Sequence, residues 1–211
     1  LADGAHSITT RATDAAGNVS PVSPALALTV DTVAPTTTAS VTAIQDDVGA
    51  FTGTVASGGV TDDTSLVVSG TLSTGLITGE RVRIYDGSSY LGDATVSGTS
   101  WTYADSRTLT DGQSVSYTAR VSDPAGNQSA AGTAYTATVD TAAPAAPTGV
   151  TVTDDVAPVT GAIAANGASN DNKPTFAGAA GSAEAGSTIT VMDGATVLGT
   201  AVVAADGSWS V

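Results

Sequence analysis

The stretch Val30-Asp31-Thr32-Val33-Ala34-Pro35 returns later in the chain as Val139-Asp140-Thr141-Ala142-Ala143-Pro144. Each copy closes an alternating, strand-like run on an aspartate. It then stiffens on a proline, whose ring fixes φ and removes a backbone donor. Residues 31 and 140 lie 109 positions apart, about the length of a small sandwich domain. The pattern is that of a joint between copies of one module.

The rest of the chain repeats at nearly the same offset. Leu1-Ala-Asp-Gly4 recurs as Leu109-Thr-Asp-Gly112, and Asp14-Ala-Ala-Gly-Asn18 as Asp123-Pro-Ala-Gly-Asn127. Asp46-Asp47-Val48 returns as Asp154-Asp155-Val156, and Thr61-Asp62-Asp63 as Ser169-Asn170-Asp171. Tyr85-Asp86-Gly87 matches Met192-Asp193-Gly194, and Trp101 matches Trp209. A tandem array follows. One whole module, residues 36–144, stands between two partial ones: 1–35 matches the end of a module and 145–211 its first two-thirds. An orphan half-sandwich exposes an apolar face and an open strand edge. The chain therefore reads as part of a longer array in which neighbouring repeats are the first partners. Homotypic end-to-end assembly, the tail of one copy completing the head of another, is a further expectation.

Composition narrows the class. Apolar residues make up 41 %, aromatic 4 % and charged only 12 %, with 24 glycines, a mixture suited to short strands and tight turns. The net charge of −14 disfavours nucleic acid. There is no cysteine, so neither a disulfide nor a thiolate metal site is available. No stretch approaches the roughly twenty apolar residues of a membrane-spanning helix. All acidic residues except Glu80 and Glu184 are aspartates, placed mostly in loops. A Cys-free, Lys-poor chain rich in Asp and Thr fits a secreted bacterial surface protein, so an extracellular location on the cell surface is expected.

Within the whole module the alternation predicts about seven strands. Ser40 to Gln45 reads as an edge-like first strand, and Asp46 to Asp63 as a polar loop. Strands follow at Leu66 to Leu72, around Val82 and Ile84, at Tyr90 to Val96 and at Trp101 to Tyr103. Asp86-Gly87 marks a hairpin, since glycine accepts positive φ. In the penultimate strand Val115, Tyr117, Ala119 and Val121 take the inward phase, while Ser116, Thr118 and Arg120 face out. The first copy repeats this with His6, Ile8, Thr10 and Ala12 inward. The fold class is all-β, with tandem immunoglobulin-like β-sandwiches of about seven antiparallel strands each.

The ordered set Asp46-Asp47-Val48-Gly49, Thr61-Asp62-Asp63, Asp86-Gly87, Trp101, Leu109 to Gly112, Asp123 to Asn127 and Asp140 to Pro144 resembles the bacterial Ig-like repeats of giant type I-secreted adhesins and biofilm-associated proteins. The resemblance runs through the whole chain. One departure is that Trp101 follows Thr-Ser, whereas Trp209 follows Asp206-Gly207-Ser208. The resemblance implies an extended cell-surface stalk, often with calcium between domains.

Strand order gives a geometric expectation of its own. In a sandwich entered at one pole and left at the other, Asp46, Asp47, Asp62 and Asp63 belong at the downstream pole, near Asp140. Asp123, Asn127 and Glu80 belong at the upstream pole, facing Asp31. Asp154, Asp155 and Asp171 are the counterparts of Asp46, Asp47 and Asp63 in the third copy, and Glu184 joins the candidate set there. Gathered carboxylates repel, by about 1 kcal/mol per pair at 4 Å in water and more at lower dielectric. A hard divalent cation relieves this, since calcium takes six to eight oxygen ligands, so Ca2+ bound by these residues is the expectation. Set against it is the reading that the aspartates end strands, close turns and keep the array soluble.

Catalysis finds no repeated constellation. His6 is the only histidine and its counterpart is Val115, so no nucleophilic triad can form around a repeated base. The sequence therefore predicts a non-enzymatic structural spacer of a surface adhesin or biofilm protein, stiffened by calcium at its junctions. The alternatives are a filament assembled by strand complementation and a module binding glycan or protein through its loops. Few aromatics, with both tryptophans in strands, argue against sugar stacking; an exposed aromatic platform revives it.

Overall fold

A computed structural model describes all 211 residues. Most of the period-two pattern becomes strand, and the chain forms no helix, so the all-β class holds. Two compact units are present, Leu1–Thr141 and Ala142–Val211.

The first unit begins with an antiparallel pair, β1 (Gly4–Ile8) and β2 (Leu26–Val30). Ten strands follow: β3 (Ala39–Asp46), β4 (Gly53–Val55), β5 (Gly59–Thr61), β6 (Val67–Leu72), β7 (Arg81–Asp86), β8 (Ser89–Asp93), β9 (Thr95–Ser97), β10 (Ser100–Ala104), β11 (Ser114–Ser122) and β12 (Tyr135–Val139). They form two five-stranded sheets, ordered β4-β3-β6-β10-β9 and β5-β12-β11-β7-β8. Every pairing is antiparallel except β5 with β12. Inward side chains of both sheets meet in one core. Ile44, Val68 and Trp101 of the first sheet pack with Val82, Ile84, Val115, Tyr117 and Val139 of the second. The module is a β-sandwich, and Val115, Tyr117, Ala119 and Val121 are buried in the inward phase that their alternation predicts.

The strand count exceeds the expected seven for identifiable reasons. The segment from Asp46 to Asp63 is not a plain loop: it folds back as β4 against β3, then crosses to the other sheet as β5. β3 is therefore an interior strand with β4 and β6 on either side, not an edge. The single strand expected at Tyr90 to Val96 divides at Ala94, so that β8 pairs with β7 and β9 pairs with β10 in opposite sheets. β1 ends at Ile8 rather than running to Ala12. Beyond it the chain holds together through separate backbone bonds, from Ser23 to Thr10 and from Ser20 to Ala12.

The second unit holds β13 (Thr151–Asp154), β14 (Gly161–Ala162), β15 (Thr175–Gly178), β16 (Thr188–Asp193), β17 (Thr196–Val202) and β18 (Trp209–Ser210). Its sheets are β14-β13-β15-β18 and the pair β16-β17. The first reproduces β4-β3-β6-β10 strand for strand, and the second reproduces β7-β8. Its core is small, with Ile189, Val203 and Trp209 packed beside Phe176 and Val191. One close approach is common to both units. Trp101 lies opposite Gly70 and Trp209 opposite Gly178, and a Cβ at either glycine would run into the facing indole. Glycine here makes room for the largest core ring.

Candidate functional site

The predicted site residues sort into two poles and a copy of one of them. At the downstream pole of the sandwich, Asp46 is buried at the end of β3. Its Oδ2 accepts the Thr61 hydroxyl at 2.7 Å and its Oδ1 accepts the Val48 N–H at 3.0 Å. The Thr61 Oγ1 in turn accepts the Asp63 N–H at 3.1 Å, and Asp63 Oδ1 accepts the Ser65 N–H at 2.7 Å. The Asp140 N–H donates to the Thr61 carbonyl at 2.8 Å. Asp46, Asp63 and the backbone of Asp140 are thus brought together around Thr61. Asp47 and Asp62 are exposed; the Asp62 carboxylate lies over Gly49, where a Cβ would strike it.

The second unit builds the same arrangement from its own residues. Asp154 Oδ2 accepts the Ser169 hydroxyl at 2.7 Å, and its Oδ1 accepts the Val156 N–H at 2.8 Å. Ser169 Oγ accepts the Asp171 N–H at 3.0 Å, and Asp171 Oδ1 accepts the Lys173 N–H at 2.7 Å. The Asp155 N–H reaches Asp171 Oδ2 at 3.4 Å. The Ser169 hydroxyl, followed by the Val156 N–H, holds the Asp154 carboxyl below the usual 3.8. Glu184 serves its own turn through its carbonyl, which accepts the Ser187 hydroxyl at 2.6 Å.

At the upstream pole Asp123 closes a turn. Its two carboxylate oxygens accept the Asn127 N–H and the Asn127 Nδ2, each at 2.8 Å. The remaining Nδ2 hydrogen of Asn127 goes to the carbonyl of joint residue Asp31, at 3.0 Å. Asp31 Oδ1 accepts the Val33 N–H. Partial burial pushes the Asp123 carboxyl up, but the Asn127 bonds outweigh it and the group sits below 3.8. The turn at Asp14 and Asn18 has the same two 2.8 Å bonds, and there too the Asn18 amide lowers the carboxyl. Glu80 Oε2 caps its own turn at the Ile77 N–H. That turn touches the Asp123 turn, since a Cβ at Gly79 would meet the Pro124 ring.

Part of the expected gathering is present at each pole, and at Asp123 and Asn127 it is made by the turn that the Asp-x-Ala-Gly-Asn motif predicts. Nowhere do three Asp, Glu, His or Cys side chains converge in a way that could hold a metal ion. The carboxylates of Asp46, Asp123 and Asp154 each take hydrogen bonds on both oxygens from nearby hydroxyl, amide or backbone groups. Such bonds satisfy the negative charge locally.

Three groups of residues went unnoticed in the sequence. At each joint, the aspartate of the Leu-x-Asp-Gly turn clamps the threonine after the joint aspartate. Asp3 Oδ1 accepts the Thr32 N–H at 3.2 Å and its hydroxyl at 2.9 Å, and Asp111 Oδ1 accepts the Thr141 N–H at 2.7 Å. The signal was available, because the two motifs repeat together. The second group is partly buried. Arg107 pairs with Asp105 at 2.6 Å and with Asp86 at 2.8 Å, while the Tyr117 hydroxyl donates to Asp105 at 2.6 Å. Burial pushes the Asp105 carboxyl up, but the bonds from Arg107 and Tyr117 win and hold it below 3.8. Burial and the Asp105 bond together raise the Tyr117 phenol. The third group lies on the outward face of β7, β8 and β11, where Arg83 sits over the Tyr90 ring and Arg120 over the Tyr85 ring.

No protein-family model matches the chain, and no curated protein matches it either.

Proposed function

We propose that the chain is a structural spacer built of immunoglobulin-like sandwich modules in tandem, part of a secreted bacterial surface adhesin or biofilm protein. The alternation of strands between the two sheets supports the immunoglobulin-like reading, because the chain switches sheet between β3 and β5 and again between β8 and β9. The order of the repeated motifs supports the adhesin placement. What carries the spacer reading is the joint clamp, made the same way twice: Asp3 on Thr32 and Asp111 on Thr141. With proline after it, a clamped joint removes bending freedom where a bare linker would keep it. Asn127 adds a second tie by holding the Asp31 carbonyl.

The test is local mobility at the joint. Asp3→Ala, which removes the bonds to Thr32, should increase proteolytic cleavage between residues 31 and 36 several-fold while leaving the sandwich core folded; an unchanged cleavage rate overturns the clamp. The clamp needs no cation. Calcium at the joints is tested separately: chelation with EDTA lowers the melting temperature if a cation bridges the carboxylates and leaves it unchanged if the direct clamp suffices. A rise of several degrees in roughly millimolar calcium, the result for a ligand that binds only the folded form, would replace the direct clamp with a cation bridge.

A further inference from the structure

The outward face of β7, β8 and β11 differs from the rest of an acidic molecule. The chain has six basic residues and a net charge of −14, yet Arg81, Arg83 and Arg120 all sit on this one face. Registers place them in rows. Tyr85 pairs with Tyr90 on one side and Thr118 on the other, and Arg83 pairs with Asp93 and Arg120. The tyrosine rings are 5.6 Å apart between centroids, tilted by 57°. Arg83 lies 5.3 Å from the Tyr90 centroid and Arg120 lies 5.8 Å from that of Tyr85. Tyr90 is 50 % exposed.

The positive charge on this face is only partly answered. Asp93 is shared between Arg81 at 3.3 Å and Arg83 at 3.8 Å. Its Oδ1 already accepts the Tyr90 hydroxyl at 2.7 Å. The Nε of Arg83 has no hydrogen-bond acceptor, and Arg120 forms no ion pair. Nor is the face repeated. The counterparts of Arg81, Arg83, Tyr85 and Tyr90 in the second unit are Thr188, Thr190, Met192 and Val197, although Met192 and Val197 occupy the same paired register. A feature needed only for the fold would recur with the fold.

We infer that this face binds an anionic polysaccharide, one bearing carboxylate or sulfate groups. The three guanidiniums complement the anions, since a cationic patch on an acidic body selects for negative partners. Tyrosine rings offer the apolar faces of sugar rings a stacking surface with a polar edge. Rows one strand spacing apart, about 4.8 Å, put successive contacts at the scale of a sugar residue, with the Ser116 and Thr118 hydroxyls alongside. A second protein surface fits less well. The outward positions of these three strands carry no aliphatic side chain to fill the apolar centre of a protein interface, although tyrosine and arginine are themselves enriched there, so self-association is one outcome of the test. The inference stands apart from the spacer reading and survives its failure.

The experiment uses the full 211-residue chain at low ionic strength, with immobilised polygalacturonate, dextran sulfate and neutral dextran. Binding to at least one anionic polymer and none to dextran is expected. Tyr90→Ala and Arg83→Gln should each weaken it at least tenfold, with unchanged melting curves, and Lys173→Gln should leave it intact. Retention on polygalacturonate alone assigns carboxylate, and retention on dextran sulfate alone assigns sulfate; either supports the proposal. It is overturned by no binding to either anionic polymer, or by binding that Tyr90→Ala leaves unchanged. Equal loss in Lys173→Gln overturns it in favour of diffuse charge. Self-association abolished by Tyr90→Ala overturns it in favour of a second copy as the occupant. Because Tyr90 is half exposed, its variant keeps the test valid even if Arg83→Gln perturbs β7.

Discussion

The strand pair β1–β2 and the pair β11–β12 are the same hairpin written twice. Their registers superimpose residue for residue: His6 faces Leu28 as Val115 faces Ala137, and Ile8 faces Leu26 as Tyr117 faces Tyr135. Their fates differ. Val115 and Tyr117 are shut away beneath the facing sheet, whereas Leu26 is 67 % exposed. Register is a local matter of alternation and turn length, and burial is not. What gives β11 its weight is β7 beside it and β3 across from it.

The largest expected effect isolates that difference. Tyr117→Ala removes a fully buried ring and its hydroxyl bond to Asp105, and should cost about 3–5 kcal/mol in urea unfolding. Ile8→Ala, at the matching position, should cost under about 1 kcal/mol. Equal losses would mean that β1 rests on a core like that of β11, and would break the comparison.

A smaller effect comes from the network that β1 lacks, because Ile8 stands where Tyr117 does. Asp105→Asn leaves Arg107 and Tyr117 without their charged partner. Arg107 is a third exposed (34 %), so solvent screening holds the loss below the 3–5 kcal/mol of a fully enclosed pair, at about 2 kcal/mol. The pH dependence has a definite sign. Asp105 is depressed in the folded state, so its stabilisation is complete above the ordinary value of 3.8 and fades as pH falls below it. Asp105→Asn should therefore flatten the acid limb of stability against pH, and an unaltered limb counts against the network.

The smallest effect sharpens the comparison from the other side. Asp14 and Asp123 close identical turns, one after β1 and one after β11. Both carboxyls are expected to titrate below 3.8 by carbon NMR, because the Asn18 and Asn127 bonds are local and owe little to the core. As with Asp105, what these bonds contribute is present above 3.8 and lost as pH falls beneath it. A normal value for Asp14 beside a depressed one for Asp123 would show that the turn needs the sandwich to form.

Much of this was legible in advance. Alternation gave the inward phase of β11, and the repeat placed Asp46 with Thr61 and Asp154 with Ser169 at corresponding poles. The gathering of Asp31 with Asn127 followed from strand order alone. What was not legible had a physical cause. The interior position of β3 depends on β4, a three-residue strand in a Gly-rich stretch with no periodicity of its own. The split of β8 from β9 turns on one residue. That the aspartates end strands and close turns was one of two readings of the sequence, but their donors Thr61 and Ser169 look like ordinary loop residues. The Arg–Tyr face needed two strands, far apart in sequence, to be placed side by side.

The parallel pairing of β5 with β12 has a mechanical consequence. Gly59 to Thr61 lie along Ala137 to Val139, with the Asp140 N–H on the Thr61 carbonyl and the Gly58 N–H on the Thr136 carbonyl. In two strands running the same way, a pull on the incoming end of one and the outgoing end of the other slides them past each other. Such a pull strains every bond between them at once, where a hairpin would peel apart one rung at a time. A pull transmitted along these two strands is therefore resisted by all of their bonds together.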